Sequence, residues 1–199
     1  ILTGGMVGDD NTGIAESGNG IPDLLDSARY EVDFWLSLKT EHGYGHGVTN
    51  PTGQNVLYQA GPTAIAAWAN ALNAAMLAEA FRIARHDALM EEYLEAARTA
   101  YSHADGLANP MLNFGQDIGW MKARGVDFKM MAAAYLYNLT GDTAYEDVMA
   151  RECVVKTSPG VDLSASNHEQ LYGAVAYLST PRPVNYPTIR DHMRTAIIR

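Results

Sequence analysis

The sequence predicts an all-α fold, and three observations support this prediction. Almost every periodic segment repeats its apolar residues at the three- and four-residue spacing of a helix, and no segment shows the strict alternation of a strand. Helices that are apolar on all sides alternate with helices that are apolar on one side. Because a helix that is apolar all round must be buried all round, the alternation indicates inner helices shielded by outer ones, as in part of an (α/α) toroid.

The first helix is predicted over Pro22–Lys39. Pro22 suits the first helical position because its missing N–H would have no helical partner there. Asp23 and Asp26 place negative charge at the positive end of the helix dipole. The apolar residues that follow form a single stripe, which predicts that this helix packs against a core with one face.

The next two helices are predicted to differ in burial. Thr63–Ile83 is apolar nearly all round and is predicted to be an inner helix. Leu89–Ala104 is amphipathic and is predicted to cover the inner layer from outside. Its solvated face carries three glutamates, Glu91, Glu92 and Glu95.

Four further helices are predicted in the second half of the chain. Phe128–Leu139 is again apolar all round, and Gly141 should end it while Asp142 caps its successor. The other predicted helices are Thr143–Met149, Glu169–Leu178 and Pro187–Ile198. The total is about seven helices in one domain or part of one.

Composition and charge narrow the class of partner. A chain of 199 residues with 47% hydrophobic and 19% charged residues can bury a large core. The net charge of -9 disfavours nucleic acid and anionic membranes, whereas a neutral polysaccharide is indifferent to it and a cationic one is attracted. No apolar run is expected to span a bilayer. Because the chain begins at Ile1 with no initiating Met, it is expected to be a piece of a longer protein.

Neither a metal site nor a cofactor is expected. Cys153 is the only cysteine, so no internal disulfide can form, and its valine neighbours predict a buried, inert thiol. The histidines show no metal-ligand spacing with cysteine or carboxylates, and no phosphate-binding loop or dinucleotide fingerprint is present. The cysteine content neither requires nor excludes secretion, so a secreted, periplasmic or cytoplasmic location stays open.

Several segments carry a specific resemblance. Residues 14–36, IAESGNGIPDLLDSARYEVDFWL, are similar to a signature of the family-nine glycoside hydrolases, the inverting endoglucanases, which reads I-P-E-S-G-N-G-I-P-D-L-L-D-E. Residues 43–49 (GYGHGVT) resemble the family's G-V-Y-H-K-V-T loop. Residues 127–142 resemble D-E-L-x-W-A-A-x-x-L-Y-x-A-T-G-D. Residues 167–173 (NHEQLYG) stand where the family has W-D-D-K-x-x-G.

The resemblance implies a fold and an activity. The fold is an (α/α)6 barrel of twelve helices, of which residues 1–199 would supply about seven as a fragment of a single catalytic domain. The activity is hydrolysis of β-1,4-glycosidic bonds, with an oligosaccharide or polysaccharide as substrate and the remainder of the barrel as structural partner. The family's catalytic carboxylates belong to a D-A-G-D segment upstream of the signature and to a region near the end of the domain, and neither is present here. No catalytic residue is therefore predicted within this chain.

Two segments depart from the family pattern, and one glutamate that matches it is assigned a structural role. Asp9 and Asp10 precede the signature without forming D-A-G-D, and we interpret them as solvated loop residues. Glu16 is expected to hold the signature loop together by hydrogen bonds rather than to take part in catalysis. Residues 58–63 (YQAGPT) replace a calcium-binding S-D-x-x-x-E-T segment, so that site is expected to be absent because calcium needs several oxygen ligands.

Five residues are predicted to contact substrate: Tyr44, His46, Asn167, His168 and Glu169. Tyr44 either stacks on a sugar ring or belongs to the core, and His46 either faces sugar or is an ordinary surface histidine. Asn167 replaces the tryptophan of the family motif and removes its stacking face. Glu169, beside His168, either lines the cleft or supplies a charge at a helix N-terminus.

The sequence leaves three functions open. The leading one is an endoglucanase-like glycoside hydrolase. The second is an exo-β-D-glucosaminidase acting on chitosan oligosaccharides. It is favoured because residues 8–23 and 59–70 resemble bacterial members of that subgroup, because the calcium segment and the stacking tryptophan are lost, and because Glu169 is a carboxylate. The third is a non-catalytic carbohydrate-binding or structural fragment, since the catalytic carboxylates are missing.

Overall fold

Seven helices and one short hairpin form the described part of the chain. The computed structural model describes residues 9–45, 62–107, 124–165 and 168–198. The helices are α1 (Asp23–Ser37), α2 (Ala64–Ala84), α3 (Asp87–Asp105), α4 (Gly125–Thr140), α5 (Thr143–Glu152), α6 (Leu171–Leu178) and α7 (Pro187–Ile198). Two antiparallel strands, β1 (Ser164–Ala165) and β2 (His168–Glu169), pair with Ser164 opposite Glu169. The all-α prediction is confirmed, and the hairpin is the small β element that it did not foresee.

The helices form two layers, as the alternation of apolar patterns predicts. α2, α4 and α6 are the inner helices: α4 packs against both α2 and α6. The other helices cover them, with α1 and α3 against α2, α5 against α4 and α7 against α6. Most residues of α2 and α4 are buried, while Glu91, Glu92 and Glu95 of α3 are exposed. The predicted inner and outer roles are therefore confirmed.

The apolar character of α2 is explained by its burial. α2 is long and apolar enough to satisfy a length-and-composition criterion for a membrane span, contrary to the sequence expectation. However, 83% of its most apolar 18-residue window is buried inside the structure. Trp68 and Phe81 have no exposed surface, and alanines between them let α3 and α4 approach closely. Core helices meet the same criterion, so α2 is accounted for as the centre of the core.

Capping residues set the helix bounds. Thr63 is the N-cap of α2 rather than its first residue, because its Oγ1 accepts a hydrogen bond from Ala66 N at 3.2 Å. Gly141 ends α4 in the left-handed conformation, with φ of 75°, and Asp142 caps α5 by accepting from Ala144 N at 2.9 Å, both as predicted. Pro22 precedes α1 with ψ of 127°, so the helix begins one residue later than predicted.

The predicted start of α6 is wrong by two residues. Glu169 is extended in β2, and Gln170 donates its backbone N–H to Leu163 O at 2.7 Å. This hairpin keeps the chain out of the helical conformation until Leu171. Two residues later, α6 approaches α4 so closely that a Cβ on Gly173 would lie 2.8 Å from Met130 Sδ and 2.9 Å from Met131 Cα. Only glycine fits at this helix contact.

Cys153 is a core residue, as predicted. It has no exposed surface, and burial raises the pKa of its thiol to about 11. Since the thiolate is the reactive form, the thiol is inert at neutral pH.

Candidate functional site

The connections between helices differ strongly at the two ends of the inner layer. We call the end at which α2, α4 and α6 begin the long-loop face; the connections that lead into these helices span residues 38–63, 106–124 and 153–170, of which 46–61, 108–123 and 166–167 lie outside the described residues. We call the opposite end, with connections 85–86, 141–142 and 179–186, the short-loop face. Each long connection leads into the N-terminus of an inner helix. Because binding residues concentrate on loops held by a rigid scaffold, the long-loop face is the candidate functional site.

Contacts between helix ends show that this face is one surface. Lys129, in the first turns of α4, is buried and pairs with Asp105 at the end of α3. Its Nζ also lies 5.1 Å from the centroid of the Trp68 ring, near the start of α2. One lysine thus joins the ends of three helices, through an ion pair and a cation–π contact. Its role is to hold the scaffold beneath the loops.

Tyr44 lies at this face, but its side chain is only 2% exposed. The ring meets His103 edge to face at 5.6 Å, and Lys39 Nζ lies 5.5 Å from its centroid. Burial raises the pKa of its hydroxyl. The preceding Gly43 has φ of 123°, and a Cβ there would lie 2.4 Å from His103 Nε2, so the turn requires glycine. The described contacts of Tyr44 are those of a core residue, and its contact with sugar stays a prediction.

The other predicted contacts are described to different extents. His46 and Asn167 lie outside the described residues. His168 belongs to β2, where it pairs with Ala165 across the hairpin. The predicted sugar contacts of these three residues stay predictions.

Glu169 is the predicted site residue with the best-described surroundings. Its side chain is half-buried, and Oε2 accepts a hydrogen bond from Ser164 Oγ at 2.6 Å. Its backbone N–H donates to Asp127 Oδ2 at 3.2 Å, at the start of α4. The carboxylate is thus oriented by its partner across the hairpin, two residues before α6 begins. This geometry differs from that of a charge within the first turn of a helix, which was the structural alternative.

A buried polar cluster beneath Glu169 was missed by the sequence analysis. Gln170 has no exposed surface, and its Nε2 donates to Asp127 Oδ1 at 2.8 Å and to Glu152 O at 3.0 Å. Its Oε1 accepts from Val154 N at 2.9 Å. Asp127 is also buried and forms an ion pair with Arg124 at 3.2 Å. The only signal for this cluster in the sequence is that Gln170 replaces the lysine of the family motif.

The signature loop lies at the other end of the molecule and has a structural role. Asp10 accepts hydrogen bonds from the backbone N–H groups of Gly18 and Gly20, both at 2.6 Å. Both glycines have positive φ, 92° and 88°, which is why the loop needs them. The interpretation of Asp10 as a solvated residue is therefore wrong, because this carboxylate organises the loop. Glu16, which was expected to do so, is exposed.

Asp23 completes the fold of this loop. It is 2% exposed, and its Oδ2 accepts from Thr12 N at 2.6 Å, Thr12 Oγ1 at 2.6 Å and Ser17 Oγ at 2.8 Å. Hydrogen bonds from Thr12, with a smaller share from Ser17, hold the pKa of this carboxyl below its usual value. The aspartate predicted as a dipole charge therefore also binds the loop to α1.

Within the described residues, no group of three or more His, Cys, Asp or Glu side chains is arranged to hold a metal ion. The chemistry that this part of the chain offers is hydrogen bonding and charge at the long-loop face.

Curated proteins with similar sequences are endoglucanases. The chain is 31% identical over 150 residues to Endoglucanase A of Fibrobacter succinogenes, an alignment that covers 64% of the chain and 33% of the relative. It is 26% identical over 202 aligned residues to Endoglucanase D of Acetivibrio thermocellus, covering 93% of the chain and 32% of the relative. The chain thus spans about a third of the length of these relatives. No protein-family model matches it.

Solved structures show the same fold. A metagenome-derived glycoside hydrolase family 9 endoglucanase matches with a TM-score of 0.71 at 21% identity, covering 93% of the chain and 36% of that structure. A Bacteroides ovatus GH9 protein matches with a TM-score of 0.70 at 21% identity, covering 93% of the chain and 38% of that structure. At these identities the structural match shows the fold alone. The relationship to endoglucanases rests on the sequence similarity to the curated proteins. The chain is thus similar in sequence to about a third of the length of curated endoglucanases, and its helices have the fold of a segment of the glycoside hydrolase family 9 structures.

Proposed function

We propose that the whole protein hydrolyses β-1,4-glycosidic bonds in a polysaccharide or oligosaccharide, and that the long-loop face of this chain forms part of the substrate cleft. The observation that carries the proposal is the 31% identity over 150 residues with a curated endoglucanase. The starts of α2, α4 and α6 support the location of the cleft, because contacts of Lys129 with Trp68 and of Glu169 with Asp127 place them at one end of the scaffold.

The proposal assigns binding to this chain and the chemistry to the remainder of the barrel. The inverting mechanism implied by the family resemblance needs an acid and a base about 6.5–9.5 Å apart, with a water between them. Among the described carboxylates of the long-loop face, Asp127 pairs with Arg124 and Asp105 pairs with Lys129, while Glu169 is assigned to substrate binding. We therefore propose that both catalytic carboxylates lie outside residues 1–199. The partners are the carbohydrate and the rest of the barrel, and neither nucleic acid nor an anionic membrane suits a chain with a net charge of -9.

A second candidate activity, removal of glucosamine units from chitosan oligosaccharides, is favoured by Glu169. This carboxylate is half-buried and oriented by Ser164 on the proposed cleft side. A carboxylate pairs with an ammonium through a charge-assisted hydrogen bond that contributes roughly 1.5–3 kcal/mol. That free energy corresponds to a preference of about ten- to hundred-fold for glucosamine over glucose at the subsite.

The test compares two substrates with the full-length protein. Release of reducing ends from cellotetraose supports the endoglucanase-like activity, and release of glucosamine from chitosan oligosaccharides supports the alternative. A full-length protein that binds one of these substrates but hydrolyses neither would support the non-catalytic carbohydrate-binding role.

Glu169→Gln separates the two enzyme activities. If Glu169 recognises an ammonium, the substitution weakens action on glucosamine oligomers by about tenfold or more and leaves any glucan activity nearly unchanged. An equal loss on both substrates contradicts ammonium recognition by Glu169.

A further inference from the structure

We propose that Gln170 positions Glu169 for substrate by locking the β1–β2 hairpin to the ends of α4 and α5. The inference rests on the proposed function, because it takes the long-loop face as the substrate cleft. It assigns Gln170 an indirect role: the side chain is fully buried and cannot touch a ligand.

The side chain of Gln170 joins three segments of the chain. Its Nε2 donates to Asp127 Oδ1 at 2.8 Å, at the start of α4, and to Glu152 O at 3.0 Å, at the end of α5. Its Oε1 accepts from Val154 N at 2.9 Å, in the connection that leads to the hairpin. The backbone of Gln170 adds a bond to Leu163 O at 2.7 Å, just before β1. Gln170 therefore binds the hairpin to the start of α4, to the end of α5 and to the connection between α5 and β1.

Only an amide side chain satisfies all three partners. An amide offers two N–H donors and an oxygen acceptor, which match two acceptors and one donor here. A lysine, as in the family motif, offers donors only and would leave Val154 N–H without its acceptor. A glutamate offers acceptors only and would place a second negative charge against buried Asp127. The identity of residue 170 therefore sets how well the hairpin is held.

The same cluster holds Glu169 directly. Glu169 N–H donates to Asp127 Oδ2 at 3.2 Å, so both oxygens of Asp127 bind the hairpin: Oδ2 through Glu169 and Oδ1 through Gln170. The charge of Asp127 is balanced by Arg124 at 3.2 Å. With the backbone fixed in this way, Ser164 Oγ needs to orient only the carboxylate of Glu169. Side chains that contact substrate depend on such a supporting layer for their geometry.

The test is a double-mutant cycle in the full-length protein, measured as kcat/KM on its preferred β-1,4-linked substrate. The variants are Gln170→Leu, Glu169→Gln and the two combined. If Gln170 acts through Glu169, each single variant lowers kcat/KM by about tenfold or more, and the combined variant falls no further than the lower single one. Gln170→Lys, which keeps two of the three hydrogen bonds, is expected to retain more activity than Gln170→Leu.

Tyr177→Phe is the matched control for a loss of stability alone. Tyr177 lies on α6, the helix that follows Gln170; it has no exposed surface and donates to Glu146 at 2.5 Å, but at the short-loop face. It should lower the melting temperature as Gln170→Leu does while leaving kcat/KM unchanged.

Two results overturn the proposal. One is a combined variant whose loss equals the product of the single losses, and the other is a Tyr177→Phe variant that loses as much activity as Gln170→Leu. Full activity in Glu169→Gln, with a wild-type protein that hydrolyses its substrate, contradicts the positioning role and leaves the proposed function intact. A wild-type protein that hydrolyses neither substrate contradicts the proposed function itself, and the positioning role fails with it.

Discussion

The long-loop face and the short-loop face are built from similar buried polar contacts, but these contacts have different roles at the two faces. At the short-loop face, Arg182 caps α4 by donating Nε to Asn138 O at 2.9 Å and Nη2 to Leu139 O at 2.7 Å. Buried Glu146 accepts hydrogen bonds from Tyr177 and from Asn185, which ties α5 to the connection between α6 and α7. These contacts hold the helices together at this face, and the described residues among the predicted substrate contacts, Tyr44, His168 and Glu169, lie elsewhere.

At the long-loop face the buried contacts support other groups instead of closing the structure. Gln170 and Asp127 hold a hairpin whose carboxylate, Glu169, remains half-exposed. The comparison indicates that substitutions at the short-loop face change the free energy of unfolding, whereas substitutions at the long-loop face also change activity. The predictions below test this division, beginning with the largest expected effect.

The largest effect is expected from isolating residues 1–199. A groove of about 520 Å³ between α1 and α2 is lined by apolar side chains including Leu24, Val32, Met76 and Leu77, and Leu24 is 55% exposed. In the isolated chain the rest of the barrel would not cover this groove, so the chain should associate or aggregate through its apolar surface. Sedimentation velocity measures this outcome. A monomer that melts cooperatively would show that the segment needs no neighbouring helices.

Glu146→Ala should cause the largest loss of stability from a single substitution at the short-loop face. The carboxylate is fully buried and accepts three hydrogen bonds, so its removal leaves donors unpaired and a cavity. The expected cost is about 2–4 kcal/mol in the free energy of unfolding of the full-length protein. Chemical denaturation measures it, with exposed Asp147→Ala as the neighbouring control. A kcat/KM that falls after correction for the folded fraction would break the division between the two faces.

Gly173→Ala should destabilise the contact between α4 and α6. The new Cβ would meet the backbone at Met131 Cα, which cannot move aside as a flexible side chain can. Overpacking of this kind costs about 1–3 kcal/mol. Gly106→Ala is the matched control, because a Cβ there would lie 3.5 Å from Ser102 O, an ordinary contact. Equal melting temperatures for the two variants would show that the inner helices separate at little cost.

Asp23 should give a small pH dependence at the signature loop. Its pKa in the folded protein lies below the ordinary value of 3.8, so its contribution to stability is complete above that pH and is lost as the pH falls below it. Asp23→Asn should therefore lower stability at neutral pH and flatten the acid limb of a melting-temperature profile. Exposed Glu16→Gln, in the same loop, serves as control. An acid limb unchanged by Asp23→Asn would contradict the assignment.

The sequence predicted the layers well because burial leaves a periodic pattern. α2 and α4 are within three residues of their predicted bounds, since all-round apolar segments and local caps such as Gly141 define them. The buried cluster at Gln170 could not be predicted in the same way. Its side-chain partner Asp127 is 43 positions away, and no periodicity reports a hydrogen bond between distant polar residues. The same limit explains why Glu169 was assigned to a helix instead of a hairpin.

The central claim, that substrate meets the long-loop face, is tested most directly by a paired measurement on the full-length protein. Glu169→Gln and Arg182→Ala place one substitution at each face, and kcat/KM and the melting temperature are measured for both. The account predicts that Glu169→Gln lowers kcat/KM on the substrate that the wild-type protein prefers by about tenfold or more, with little change in melting temperature. It predicts that Arg182→Ala lowers the melting temperature and leaves kcat/KM unchanged. The reverse pattern, with activity lost in Arg182→Ala and kept in Glu169→Gln, would contradict it.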